Sequence, residues 1–535
     1  MSETCKICVS PRGEWDHDTL ESHIAHEHRD EPKSVEQVYP DLYEPIFVEE
    51  RYWEDEVEEP DDEPFPGGGN GNGATANGET DFGLSSVGKK WYVIGVGGAG
   101  NHIVDAILLR RNTLADENED RVRIWQGGLA GAGVLNTNVA EIEETYYAQE
   151  EKGYNRHDIV ANCIIGQGVH NYAGAGYRWD HGRDFVLADF EDGGNPFQER
   201  WDMNPVELRD SQAVMFVHSV TKGTGCGSTP VIAEKLREAV LDDDKVVGKP
   251  IFSSVVIPSE YADRSGRAMV NGVIGMARTA ANVDAIIPFD NRKLREATQD
   301  IEPRIHGVER YNPPEFADLN KPLVAFLEAF TMSSIPQVVD QDTDLSVRGE
   351  VFDPADSFRP VQDKYPFDPD RAYNPAVVLA PVLGKIHANS FDRSKLQMLA
   401  RKALFQNKLA DFDPTTAWGG TFLIYGPEEK MSKVAPLIND GVLTEVLASP
   451  DFLDRDTVAG VETVDIHTHQ LVTPYLDDIY LWGTLWNPEM PSLEEMYEHA
   501  LTMKQDGNSQ LSAGVREVWD QVEPLFDCLG RKNMP

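Results

Sequence analysis

Short apolar runs that stop at glycine-rich or polar turns, each followed by a helical pattern, dominate residues 90–300. Lys90 to Val96 is the first such run. It ends in Gly97-Gly98-Ala99-Gly100-Asn101, and helical spacing continues to Asp105. Val214 to Val217 is the second, reading as a buried strand before Gly223-Thr224-Gly225-Cys226-Gly227-Ser228, with Thr229 predicted as N-cap and Pro230 in the first turn of a helix. Val122–Trp125, the run ending at Ile164-Ile165, Pro250–Ile257 and Val283–Asp290 read as further strands. Buried strands separated by helices predict an α/β fold with a parallel sheet.

Beyond residue 373 the pattern becomes mixed. Strands are expected around Asn374–Ile386, Gly420–Tyr425 and Asp477–Trp486. Arg393–Leu409 is amphipathic, with Leu396, Leu399, Ala400, Ala403, Leu404 and Leu409 near one face. Val434–Leu447, Glu494–Met503 and Val515–Leu529 read as helices. Asp465, His467 and His469 alternate, the pattern of a half-exposed strand more than of a metal site.

Charge narrows the partners. In 535 residues, 91 acidic side chains face 48 basic ones, a net charge of −43. That sign repels nucleic acid and anionic membrane. Spread along the chain, it reads as the solvated surface of a salt-adapted, halophilic protein, or else as a mesophilic acidic protein with disordered acidic segments. The longest apolar runs are too short to span a bilayer, no signal-peptide core is visible, and five cysteines do not resemble a secreted disulfide framework. A cytoplasmic protein without direct membrane insertion is expected.

Cys5-x2-Cys8, fourteen residues, His23, four residues and His28 supply two sulfurs and two imidazoles, a tetrahedral Zn2+ set. His26 stands as an alternative to His28. Asp18, Glu21, Glu27 and Asp30 give the finger the wrong sign for DNA, so a protein-binding or structural role is expected. The acidic stretch Glu49–Glu63 and the Gly/Asn-rich run 66–78 predict a flexible tether.

Gly95-x-Gly97-x-x-Gly100 alone would suggest a dinucleotide site, but no acid closes the following strand to hold a ribose. A glycine turn before a helix N-terminus cradles phosphate in any case. Taken in order, Val93-Ile-Gly-Val-Gly-Gly-Ala-Gly-Asn101, Leu135-Asn136-Thr-Asn138, His170-Asn-Tyr-Ala-Gly174-Ala175-Gly176-Tyr177, Gly223–Glu234, Asp290-Asn291-x-x-Leu294 and Phe316-Ala-Asp-Leu-Asn320 resemble the nucleotide loops of the tubulin/FtsZ superfamily. Thr221 and Lys222 replace two of its signature glycines. The resemblance implies a GTPase that binds GTP/GDP with Mg2+ (or K+), assembles into filaments and acts in cell division or cell-shape control. It implies that Asn101, Asn291, Phe316 and Asn320 read guanine, Phe316 stacking on the base and Asn320 following at i+4, and that Lys222–Ser228 hold phosphates. Pro258 and Glu260 fall at the ribose side, where Glu260 is either a ribose acceptor or a solvent-facing charge. Asp353 and Asp356 match the spacing of the superfamily's catalytic acid loop, which serves a neighbouring subunit's nucleotide; Val351 stands where that loop has asparagine. The alternative is a non-hydrolysing, nucleotide-bound scaffold whose finger recruits a partner. The expected organisation is a finger (1–35), a linker (36–88), a Rossmann-like GTP-binding domain (89–315), a central helix with the acid loop (316–372), and a smaller α/β domain with closing helices (373–535).

Overall fold

Alternation along the strands sends side chains to two cores, one on each face of a single sheet. In β1 (Trp91–Val96), Trp91 and Val93 enter one core while Tyr92, Ile94 and Val96 enter the other. Every residue of β1 is buried, as a strand covered on both faces requires. A computed structural model describes residues 91–505 apart from 118–128, 192–194, 204–206, 209–210, 241–248, 259–264, 298–300, 302, 334–347, 350–352, 365–375, 450–451, 453–464 and 474–475, together with Arg516, Val518, Trp519 and Val522. The zinc-ligand set Cys5, Cys8, His23 and His28, the linker, the Val122–Trp125 strand, Glu260 and Val351 lie outside the described residues.

Strand β1 runs directly into α1 (Gly97–Glu117). There follow β2 (Leu129–Leu135), α2 (Trp179–Glu191), β3 (Ala213–Ser219), α3 (Gly223–Lys235), β4 (Ile251–Ile257), α4 (Gly266–Ala280), β5 (Ala285–Asp290) and α5 (Asn291–Ala297). Helix α6 (Asn320–Ser333) crosses behind the sheet. The second half contains β6 (Arg348–Gly349), β7 (Val377–Ile386), α7 (Arg393–Arg401), β8 (Gly419–Gly426), α8 (Glu428–Asn439), α9 (Val442–Leu447), β9 (Asp465–Val472), β10 (Ile479–Trp486) and α10 (Pro491–Gln505).

The sheet order is β2-β1-β3-β4-β5-β7-β10-β8-β9-β6. From β2 to β7 all neighbours are parallel. β10 then pairs antiparallel with both β7 and β8, while β8 and β9 are parallel. The second half therefore continues the first sheet edge to edge through β5 and β7.

Several sequence expectations need correction. Helix α3 starts at Gly223, not after Thr229, with Lys222 as its extended N-cap; Pro230 lies inside the helix. The run at Ile164 forms only an isolated bridge to Asn136, because Gly166 and Gly168 turn the chain with φ of 73° and 85°. The Val434–Leu447 helix is two helices, broken at Gly441 with φ 74°. The helical pattern from Arg393 leaves α-geometry at Lys402, passes through a π-turn to Gln406 and ends at Asn407.

Helix α6 runs against the strand direction. Its middle residue Phe326 meets Phe289 near the C-terminal end of β5, with ring centroids 5.6 Å apart. Phe330, a turn later, meets Trp91 and Phe252 at the opposite ends of β1 and β4, at 4.8 Å and 5.4 Å. Fourteen residues of α-helix span about 20 Å. Helix α10 closes the other face against α4, where a Cβ on Gly272 would stand 2.5 Å from Met496 Sδ.

Candidate functional site

Three loops converge at the C-terminal ends of β1, β2 and β3, the edge where open α/β sheets bind ligands. Gly97 turns β1 into α1 with φ 75°, and a Cβ there would stand 3.2 Å from the backbone nitrogen of Gly225. The first turns of α1 and α3 are thus backbone to backbone. Gly100 lets α1 lie on β3; a Cβ there would fall 2.1 Å from Val217 O. Thr137, after β2, shares a hydroxyl contact of 2.6 Å with Thr224, fastening the second loop to α3. Gly174, with φ 93°, donates its N–H to Thr137 O at 3.1 Å. Gly176 also has positive φ, while Ala175 is buried beneath Gly223.

Among the described residues no side chain caps α3, so its first N–H groups, at Gly223, Thr224 and Gly225, are the donors the cradle offers. The rest of the signature run packs helices. A Cβ on Gly227 would lie 2.0 Å from Trp179 O, Ser228 Oγ donates to Gly182 O at 2.8 Å, and Cys226 Sγ donates to Asn271 O at 3.1 Å. Burial pushes the Cys226 thiol up to about 12, the opposite of the shift that activates a nucleophilic cysteine. Beneath the run, His218 is fully buried, its Nε2 is 2.8 Å from Ser253 Oγ, and burial pushes its pKa down to about 3.

Asn101 and Asn136 brace the loops. Both are about 1% exposed. In the orientation that satisfies its surroundings, the Asn101 amide donates to the carbonyls of Gly95, Gly97 and Leu135, and its oxygen accepts from Asn136 Nδ2 at 3.2 Å. That engages both ends of the amide, so Asn101 shapes the loop rather than offering a free edge to a base. Asn136 Oδ1 accepts from the N–H groups of Thr137 and Asn138.

At β5, Asp290 Oδ1 accepts from Arg292 N at 2.7 Å and so sets Asn291 as the first residue of α5. Asn291 is half-buried. Pro258 is buried directly after β4, against α4. Phe316 and Asn320 do not share one helix: Pro314–Ala317 is a separate turn, and α6 begins at Asn320. Phe316 is 36% exposed, whereas Asn320 is buried and donates through Nδ2 to Asn312 Oδ1 at 2.9 Å. The i+4 relation therefore does not place them together.

Sequence reading missed three side chains. Glu141 follows the second loop; its Oε2 accepts from Asn136 Nδ2 at 2.8 Å and lies 2.8 Å from where a Gly98 Cβ would stand. His102 follows Asn101 on α1, with Nδ1 buried and without a hydrogen-bond partner among the described residues. Burial is the main cause that lowers its pKa; Glu141, the Tyr311 backbone and Glu144 pull the other way, and Lys222 adds to the lowering. Asn312 Nδ2 is likewise buried and unpartnered among the described residues. No spacing rule marks a lone glutamate, histidine or asparagine; only convergence reveals them.

The acid turn stands elsewhere. Asp353 caps the 3₁₀ turn Pro354–Ser357, its Oδ1 accepting from Ala355 N at 2.9 Å, and Asp356 lies within that turn. Both carboxylates are exposed. Phe358 anchors the turn on Phe252, 5.6 Å between centroids, at the N-terminal end of β4. On β9, Asp465 and His467 approach at 3.6 Å. Among the described residues no three His, Cys, Asp or Glu side chains form a metal-binding group, and no helix is long and apolar enough to cross a membrane.

Backbone amides at two adjoining helix N-termini, with glycines where the chains approach closely, form a cradle of the kind that suits phosphate oxygens, and the comparisons support a relation to the tubulin/FtsZ superfamily. Residues 195–299 match the model of the Tubulin/FtsZ family GTPase domain. A stretch of 90 residues is 34% identical to the tubulin-like protein CetZ of Pyrococcus furiosus, covering 17% of this chain and 22% of that relative. Among solved structures, CetZ2 from Haloferax volcanii, a GTPγS-bound protofilament, superposes with TM-score 0.50 at 15% identity over 78% of this chain and all of that one. CetZ1 from the same organism, a GDP-bound monomer, gives the same TM-score and identity and is covered over 99% of its length. At that identity the likeness concerns the fold.

Proposed function

We propose that this protein binds GTP or GDP in the converging loops, assembles head to tail, and hydrolyses GTP where successive copies meet, in cell division or cell-shape control in the cytoplasm. One observation carries the reading. The cradle lies at the C-terminal ends of the strands, whereas Asp353 and Asp356 lie near their N-terminal ends, with α6 running between. Within one copy the carboxylates and the cradle are kept apart; stacking copies end to end brings them together.

The roles follow from chemistry. The amides of Gly223, Thr224 and Gly225 hold phosphate oxygens, and the dipole of α3 adds to the attraction. Glu141 sits close to Gly98. A carboxylate beside a phosphate needs a cation between them, so Glu141 and the phosphates together would hold the Mg2+ (or K+), which neutralises charge on the polyphosphate. The half-buried Asn291 offers a donor and an acceptor to the guanine edge, Phe316 an exposed ring for stacking. Asp353 and Asp356, from the adjoining copy, orient and deprotonate the attacking water.

The test is GTP turnover against protein concentration in high KCl. Turnover per subunit should climb with concentration, and Asp353→Asn with Asp356→Asn should slow it by about 100-fold or more while leaving nucleotide binding intact. Unchanged turnover in the double variant would refute the assignment. Lys222, in place of a signature glycine, favours a second reading: a nucleotide-bound scaffold that does not hydrolyse, whose N-terminal finger recruits a partner. Retained nucleotide with no turnover at any concentration would select it.

A further inference from the structure

From Thr221 to Pro230 every residue is buried except Lys222. Its backbone is extended, with φ −107° and ψ 171°, at the N-cap of α3. The ammonium rests 5.8 Å from the centroid of the Tyr177 ring, and no carboxylate among the described residues is recorded as its partner.

Tyr177 is held where it is at a cost. It is 47% exposed and has φ 60°, a left-handed backbone that side chains other than glycine disfavour. Burial of its ring does not explain that conformation. Asn271 does: its buried Nδ2 donates to Tyr177 O and to Thr221 O, both at 3.0 Å. Gly223 lies so close below that a Cβ would stand 2.6 Å from Arg178 O. The backbone of loop 175–178 and the start of α3 are therefore fixed to each other, which keeps Tyr177 and Lys222 neighbours. The charge of Lys222 also acts on His102, adding to the effect of burial on that imidazole.

We propose that Lys222 senses the terminal phosphate: its ammonium leaves the Tyr177 ring for the third phosphate of a bound nucleoside triphosphate, so that the cradle holds triphosphate more tightly than diphosphate. The inference rests on the guanine-nucleotide reading above. An exposed cation–ring contact is weaker than a charge-assisted bond to phosphate, so the ring is a resting place that phosphate displaces. The amides of Gly223 to Gly225 serve any phosphate, whereas the four-carbon stem of lysine reaches beyond them.

The experiment measures Kd and dissociation rate of GTPγS and of GDP for the full chain in high KCl. Lys222→Met should weaken GTPγS about tenfold and GDP less than about twofold, and Lys222→Arg should restore most of the preference. Tyr177→Leu, which removes the competing ring, should tighten GTPγS while leaving GDP unchanged. Thermal melts matching the parent protein confirm that the exposed positions are silent for folding. An unchanged GTPγS-to-GDP ratio in Lys222→Met, with the parent binding both, overturns this inference alone. Failure of the parent to bind either nucleotide overturns the guanine reading as well.

Discussion

Asp105, on α1, accepts the backbone N–H groups of Tyr146 and Tyr147, each at 3.0 Å, from inside the core behind the sheet. Burial pushes its pKa up to about 7, against the pull of the two amides. A carboxyl whose native pKa is raised favours the fold while it keeps its proton, and that contribution is lost as pH climbs from the unfolded value, 3.8, through about 7. Unfolding free energy should therefore fall with pH across this window, and Asp105→Asn should flatten the slope; denaturant titrations at several pH values read both. An identical slope in the variant would mean that Asp105 stays ionised throughout. His102 works in the opposite sense, because burial keeps it neutral and acid must charge it.

Helices α1 and α6 are joined by a buried ion pair. Arg110 Nε donates to Glu328 Oε2 at 2.8 Å, Nη2 reaches Oε1 at 3.3 Å, and Nη1 donates to Arg304 O at 2.8 Å. Both side chains are about 5% exposed. Removing one partner strands a charge in the core, so Arg110→Met should cost about 3–5 kcal/mol of stability, whereas Arg110→Met with Glu328→Met should recover much of it. Chemical denaturation of the single and double variants decides; equal loss in both would show that shape, not charge, matters there. At this scale the sequence was partly legible. Fully apolar runs such as Val214–Val217 announced central strands because both of their faces are covered. β2 went unseen because Gly131 and Gly133 carry no apolar side chain, and a Cβ on Gly131 would strike the Tyr92 ring at 2.6 Å. The start of α3 was misplaced because Thr229-Pro230 imitates a helix start locally, while the real one is set by the close approach of α2 at Gly182 and Gly227. The glycine loops and the Asp353–Asp356 spacing were readable as local patterns. Glu141, His102 and Asn312 were not, since their positions depend on contacts between distant segments.

Over the whole molecule, a net charge of −43 opposes compaction unless counterions screen it. Raising KCl from roughly 0.1 M, where the screening length is about 10 Å, to roughly 1 M, where it is about 3 Å, should raise the thermal midpoint. A midpoint independent of salt would separate the acidic surface from stability and remove the case for salt adaptation. The two halves of the sheet meet over two residue pairs between β5 and β7, against eight between β7 and β10. Trp482 of β10 compensates from behind: its indole donates to Phe326 O at 3.1 Å and stacks on Phe326 and Phe330, both with centroids at 5.1 Å. The narrow join is a crease, and α6 is the splint laid across it. Whatever displaces the head of that splint at Asn320 also tilts the panel of antiparallel strands bound to its tail.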